Sequence, residues 1–189
     1  MTNPVKETKV ITGKVRLSYT HVFEPESING SDDKKYSVSL IIPKTDTVTI
    51  NKIKSAVENA IANGLATKLG GKKMGLKLPL RDGDIDRADD EAYANSFFVN
   101  ASCKTKPGII DRFKNPITDP EELYSGCYGL ASITFYAFNS NGSKGVACGL
   151  NNIMKVSEGE PLGGRNSADA DFADVDSSIL QEEDDEIFG

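Results

Sequence analysis

The chain has 189 residues, with 22 Lys and Arg against 28 Asp and Glu, a formal net charge of -6. That length suits one domain with an appendage. An acidic chain with a pI near 4.9 argues against a polyanionic ligand only if its charge is evenly spread, and it is not. From Ser167 to Gly189 stand nine acids and no base, which leaves 19 acids against all 22 bases in the preceding residues, a net of +3. A mildly basic body therefore precedes a strongly acidic tail, and such asymmetry is itself a functional hint.

No apolar run approaches the roughly 18 residues of a membrane span. The polar stretch Met1–Lys9 lacks the apolar segment of a signal peptide. Cys103, Cys127 and Cys148 are odd in number and far apart, as expected of free thiols in a reducing, cytoplasmic compartment. The single His21 has no second ligand at metal-binding spacing, and neither a phosphate-binding glycine loop nor a nucleophile elbow is present. No catalytic residue, metal or cofactor is assigned.

In chain order, residues 9–19 alternate, with Ile11, Val15, Leu17 and Tyr19 on one face and Thr12, Lys14, Arg16 and Ser18 on the other, the pattern of a half-buried strand with a basic outer face. Residues 24–35 read as a loop turning at Asn29-Gly30. A second strand, Tyr36–Ile42, ends at Pro43. Asp46 or Thr47 caps a helix whose apolar positions are Val48, Ile50, Ile53, Val57, Ala60 and Ile61, and Asn63-Gly64 stops it. Residues 65–77, rich in Gly and Lys, read as a mobile basic loop. Within 34–77 there are nine bases and two acids, the composition of a surface that wraps a polyanion or of a merely solubilising one.

Residues 80–91 form an acidic turn. Its Asp82, Asp84 and Asp86 have the spacing of a calcium loop, but Arg87 stands where Gly is needed and Tyr93 where Glu is needed. A two-metal nuclease is the alternative use of such carboxylates. Ser96–Lys104 is a strand with Phe97, Val99, Ala101 and Cys103 on one face and Phe98, Asn100, Ser102 and Lys104 on the other. A short strand at Ile109-Ile110 precedes Arg112, Phe113 and Lys114. Gly126–Phe138 is the longest strand; its small apolar set, Cys127, Gly129, Ala131, Ile133, Phe135 and Ala137, suits a barrel interior, and Asn141-Gly142 turns it into Gly145–Val156. About six strands and one helix predict a mainly β fold, a barrel or a sandwich. Residues 1–158 are the expected body, 159–166 a linker and 167–189 a disordered acidic tail.

Two constellations point to nucleic acid. Lys14, Arg16, Lys34, Lys35, Lys72, Lys73, Lys104, Lys106, Arg112 and Lys114 are candidates for phosphate contact. Tyr36, Phe98, Phe113, Tyr128 and Tyr136 are candidates for base stacking, worth roughly 1–3 kcal/mol per base without sequence preference. Core aromatics beneath solvated lysines would leave the same pattern. The tail ends Glu182, Glu183, Asp184, Asp185, Glu186, Ile187, Phe188, a partner-binding pattern in which charge steers and an aromatic docks; it can also occupy the body's own basic groove.

Five segments carry a resemblance: Ile42-Pro43-Lys44-Thr45-Asp46; Pro79-Leu80-Arg81-Asp82-Gly83-Asp84; Tyr124-Ser125-Gly126-Cys127-Tyr128; the run from Gly145 to Asn152; and Pro161-Leu162-Gly163-Gly164-Arg165. In this order they resemble a family of phage and prophage single-stranded-DNA-binding proteins, once catalogued as a domain of unknown function. The resemblance implies an OB-fold-like barrel of five to six strands with an inserted helix and sequence-independent single-strand binding in phage DNA replication or recombination. It also implies a homodimer, by likeness to the binding protein of T-odd lytic phages. The tail is similar to those of bacterial single-strand binders, except that Gly189 follows Phe188. Replication or recombination proteins are its expected partners. A metal-dependent nuclease and a protein-only adaptor whose tail mimics nucleic acid are the competing readings.

Overall fold

A computed structural model describes residues 5–27 and 32–162, with Phe172 and Val175. The expected tail, Phe172 and Val175 apart, and the Asn29-Gly30 turn lie outside the described residues. The elements run β1 (Lys9–Ile11), β2 (Val15–Ser27), β3 (Lys34–Pro43), α1 (Thr47–Gly64), β4 (Arg81–Asp82), α2 (Gly83–Asp86), a 3-10 turn (Glu91–Tyr93), β5 (Ser96–Cys103), β6 (Gly108–Ile110), β7 (Tyr128–Ser140) and β8 (Ser143–Ser157).

Five long strands close on themselves in the order β2-β3-β5-β8-β7 and back to β2. All neighbours are antiparallel except β5 and β8, which pair in parallel at Ala101↔Cys148 and Ser102↔Gly149. This is an OB-fold-like barrel, with α1 inserted between its second and third strands. The interior is made as the alternation requires: Val15 and Leu17, Val38, Leu40 and Ile42, Val99 and Ala101, Ala131, Ile133 and Phe135, Val146, Cys148 and Leu150 are all buried. Helix α1 lays Ile50, Ile53, Ala56, Val57 and Ala60 over the same core. Asp46 caps it by accepting from the Thr49 amide at 3.1 Å, but Val48 turns outward.

The structure departs from the sequence reading in four places. The strand expected over 9–19 breaks at Gly13, where a Cβ would lie 2.9 Å from Asp46 Oδ2 and 3.0 Å from Thr49 Oγ1. The close approach to the helix start reverses the phase before it, so Val10 and Thr12 point in and Ile11 out. Residues 24–27 and 34–35 are strand, not loop; Glu26 faces Lys35 and Ser27 faces Lys34. Pro25 is tolerated because β2 meets β7 only at Val15 and Arg16, which leaves its far half at an edge. Residues 65–71 wind into turns rather than a loose loop, with Leu69 fully buried and the Gly71 amide donating to the Leu65 carbonyl. The acidic stretch after Leu80 is built into β4, α2 and the 3-10 turn, which cover one outer region of the barrel through Tyr93, Phe98 and Ile41.

Candidate nucleic-acid interface

The register of the β2–β3 hairpin sorts the basic residues. At the hairpin's open end, Arg16 lies opposite Ile41 of β3 and Tyr128 of β7. There the Lys14 ammonium sits 5.3 Å from the Tyr128 ring centre and the Arg16 guanidinium 5.7 Å from it. Arg16 is also fixed by donating to the Gly126 carbonyl at 3.1 Å and the Glu160 carbonyl at 2.7 Å. Two cations flanking a partly exposed ring can neutralise phosphate and offer a stacking face together.

At the hairpin's closed end, Lys34, Lys35 and Tyr36 begin β3, and Tyr36 pairs with Cys103 at the end of β5. Lys104 and Lys106 follow directly. Lys104 is 3.8 Å from Asp33, both exposed, and Lys106 lies 5.7 Å from the Phe23 ring centre. Six residues of β3 separate the Arg16 and Lys35 positions, about 20 Å of strand. Between them the outer surface of β2, β3 and β5 carries His21, Ser37, Asn100 and Ser102, small or polar and at least partly exposed.

The remaining candidates fall elsewhere. Tyr136, 47 % exposed, stands on the β7–β8 hairpin, beside which Lys77 pairs with Gly145 and Lys144 reaches the Leu69 carbonyl. Lys72 and Lys73 follow that turn, exposed. Arg112, Phe113 and Lys114 form a turn tied by Asp111, whose Oδ1 accepts from the amides of Phe113 and Asn115. The Arg112 guanidinium lies 4.9 Å from the exposed Phe113 ring.

Phe98 is a correction. It is fully buried against Ile41 and edge-on to Tyr93 at 5.0 Å, so neither ring face is open to a base. Alternation alone put Phe98 on the outer face, which is correct, but the acidic segment folds over it. That segment also spends its carboxylates on itself. Asp82 and Asp84 clasp the Lys44 ammonium at 3.0 and 2.8 Å, Asp86 pairs with Arg81 at 3.0 Å, and Asp84 accepts the Asn95 amide. The Lys44 ammonium beside it holds the Asp84 carboxyl below its usual range, aided by the Asn95 N–H. Among the described residues, no group of three or more His, Cys, Asp or Glu is arranged to hold a metal ion.

Two residues on this surface escape sequence reasoning. Tyr19, 50 % exposed, was placed with the inward set, and Arg87 lay within the acidic turn; the guanidinium rests 5.5 Å from the Tyr19 ring centre. A third feature is the segment after β8. The Tyr124 hydroxyl donates to Glu158 and accepts from the Gly159 amide, Arg16 donates to the Glu160 carbonyl, and the Leu162 amide donates to the Ser125 carbonyl. The start of the expected linker is thus strapped across the mouth of the Arg16 site.

The tail residues Glu182, Glu183, Asp184, Asp185, Glu186, Ile187 and Phe188 lie outside the described residues. No helix among the described residues is long and apolar enough to cross a membrane.

Known proteins resemble this chain in sequence and in fold. A curated relative, the putative protein p50 of Acyrthosiphon pisum secondary endosymbiont phage 1, is 32 % identical over 93 % of this chain and 97 % of its own. The single-stranded DNA-binding protein of bacteriophage Enc34 in complex with ssDNA superposes with a TM-score of 0.73 at 25 % identity, covering 82 % of this chain and 90 % of that one. The single-stranded DNA-binding protein gp2.5 of bacteriophage T7 shares the fold, with a TM-score of 0.60 at 16 % identity over 90 % of this chain and 96 % of that one. Residues 8–187 match the family model of the Enterobacter phage Enc34 ssDNA-binding protein, and the chain belongs to that family.

Proposed function

We propose that this protein binds single-stranded DNA without sequence preference, along the outer surface of β2, β3 and β5. The observation that carries the reading is the pair of cation–aromatic groups at the two ends of one hairpin, Lys14, Arg16 and Tyr128 against Lys34, Lys35, Lys104 and Lys106 with Phe23. A strand lying between them meets phosphate-binding cations at both ends and polar side chains in the middle. The protein is a binder, not an enzyme, as are the members of its family; the carboxylates a nuclease would use are bound to Lys44, Arg81 and backbone amides.

The acidic tail is the second part of the proposal. Nine negative charges beyond Ser167 compete with DNA for the basic surface and recruit replication or recombination proteins through Ile187 and Phe188. The strap over residues 158–162 supports this, because it starts that segment beside Arg16. The protein acts in phage DNA replication or recombination in the host cytoplasm, as a homodimer.

A titration of labelled oligonucleotide against salt, comparing the full chain with a truncation after Asn166, tests this. Affinity should fall steeply with salt, by a log–log slope of about -0.7 per phosphate neutralised, and truncation should raise it. Absence of binding by both forms at low salt overturns the reading in favour of a protein-only adaptor. Unchanged affinity on truncation overturns the competing tail alone.

A further inference from the structure

Tyr19 is placed by an irregularity built into β2. Between Ser18↔Ser39 and His21↔Ser37, β2 advances three residues while β3 advances two, so one extra residue is accommodated in a bulge. Bulges re-aim side chains. Tyr19 takes a backbone φ of 47°, the left-handed region that a Cβ disfavours. Non-glycine residues held there cluster at sites where a side chain must be presented in one direction. The result is a large aromatic side chain, half exposed, on the outside of a barrel whose other outward residues nearby are Ser37, Asn100 and Ser102.

The ring is not left to swing. The Arg87 guanidinium lies 5.5 Å from the Tyr19 centre and also 5.6 Å from Tyr93 and 5.7 Å from Phe98, both fully buried. One planar cation thus ties the exposed ring to two rings of the fixed cluster. No carboxylate among the described residues pairs with Arg87, so its N–H groups remain available to a phosphate. Beside the ring opens a cleft of about 300 Å³, walled by His21, Asp90, Ser125 and Leu162. Apolar and hydrogen-bonding surface meet there next to an aromatic face, the combination that receives a flat heteroaromatic ring.

We infer that Tyr19, held by Arg87 and opening on this cleft, seats one unpaired base, and that the seat supplies the preference for single strand over duplex. In a duplex each base is stacked on both sides and its pairing edge is occupied, so entering the cleft requires extrusion; in a single strand the same step is cheap. The cationic groups at the hairpin ends, by contrast, contact phosphate, which both forms possess. The inference rests on the binding function proposed above and assigns its strand selectivity to a residue pair.

The test compares the wild type with Tyr19→Ala and Tyr19→Phe, using a labelled oligothymidine and a duplex of equal length at one salt concentration. Loss of one stacked base should cut single-strand affinity about 5- to 150-fold. Duplex affinity and the salt slope should be unchanged, because no charge is removed, and Tyr19→Phe should bind as the wild type does. Wild-type single-strand affinity in a Tyr19→Ala protein with a native melting temperature overturns the inference, as does an equal loss for both ligands. Should Tyr19→Ala fail to fold, photocrosslinking an iodouracil-containing strand to the wild type decides: adducts on Tyr19 support the seat, and adducts confined to other residues overturn it. A wild type that binds neither ligand overturns the binding function and this seat together.

Discussion

Phe98 and Tyr128 are both aromatic residues that alternation places on an outer face, and they end in opposite roles. Tyr128 remains partly open between Lys14 and Arg16, while Phe98 is sealed beneath Tyr93 and Arg81. Truncating each should separate the roles. Phe98→Ala removes a buried ring and should cost about 3–5 kcal/mol of stability, seen as a lower denaturant midpoint. Tyr128→Ala should leave the midpoint nearly unchanged and weaken oligonucleotide binding. The reverse outcome would mean that the outer surface near Phe98 opens to ligand. The period-2 pattern assigned the face of both residues correctly. It could not show that a segment 5–17 residues upstream folds back over one of them, because that contact joins side chains with no local sequence signature.

At the scale of elements, the β4–α2 turn is held to the end of β3 by Lys44 lying between Asp82 and Asp84. The turn in turn carries Arg87 and Tyr93, so this fastening supports the surface around Tyr19. The Asp84 carboxyl is depressed below its usual value near 3.8, chiefly by the Lys44 hydrogen bond. A depressed carboxyl contributes stability that is present above its unfolded value and disappears as the pH falls through the folded one. The melting temperature of Lys44→Met should therefore lie below that of the wild type by a constant margin at pH 5 to 8. That margin should shrink below about pH 4, as the wild type loses the same contact. A margin independent of pH down to 2.5 would assign the effect to the contact of the Lys44 ammonium with the Phe97 ring. The β7–β8 hairpin, helix α1 and its Asp46 cap were legible because local signals agree with the global fold. The phase of β1 and the ends of β2 and β3 were not, since Gly13 obeys a close approach to α1 and residues 24–27 obey cross-strand pairing with 34–35.

For the molecule as a whole, the sequence permits a barrel or a sandwich, and what distinguishes them is the parallel pairing of β5 with β8 and the return of β7 to β2. Neither contact has a sequence signature shorter than the chain itself. Six strands were expected where eight occur among the described residues, the shortfall lying in short pairings such as β1 on β7 and β4 on β5, which take their order from neighbours. The basic body is likewise more divided than its composition implies: the candidate phosphate-contacting lysines and arginines fall at the two ends of one hairpin and in two outlying turns.

The barrel closes through a short ladder. β2 meets β7 only where Val15 faces Gly129 and Arg16 faces Tyr128, with the Leu17 amide bonded to the Cys127 carbonyl beyond. Its residues are also members of the proposed binding surface. A strand held by Lys14, Arg16 and Tyr128 therefore bridges one of the two short joints of the barrel, the other being β5 on β8, and by linkage it must oppose the opening of that joint. Amide hydrogen exchange should report this: on adding oligonucleotide, the amides of residues 15–17 and 127–129 should slow more than those of the long β7–β8 ladder. Uniform slowing across all strands would mean that the ligand resists only global unfolding. In that sense the seam is a latch, and occupying the surface locks it.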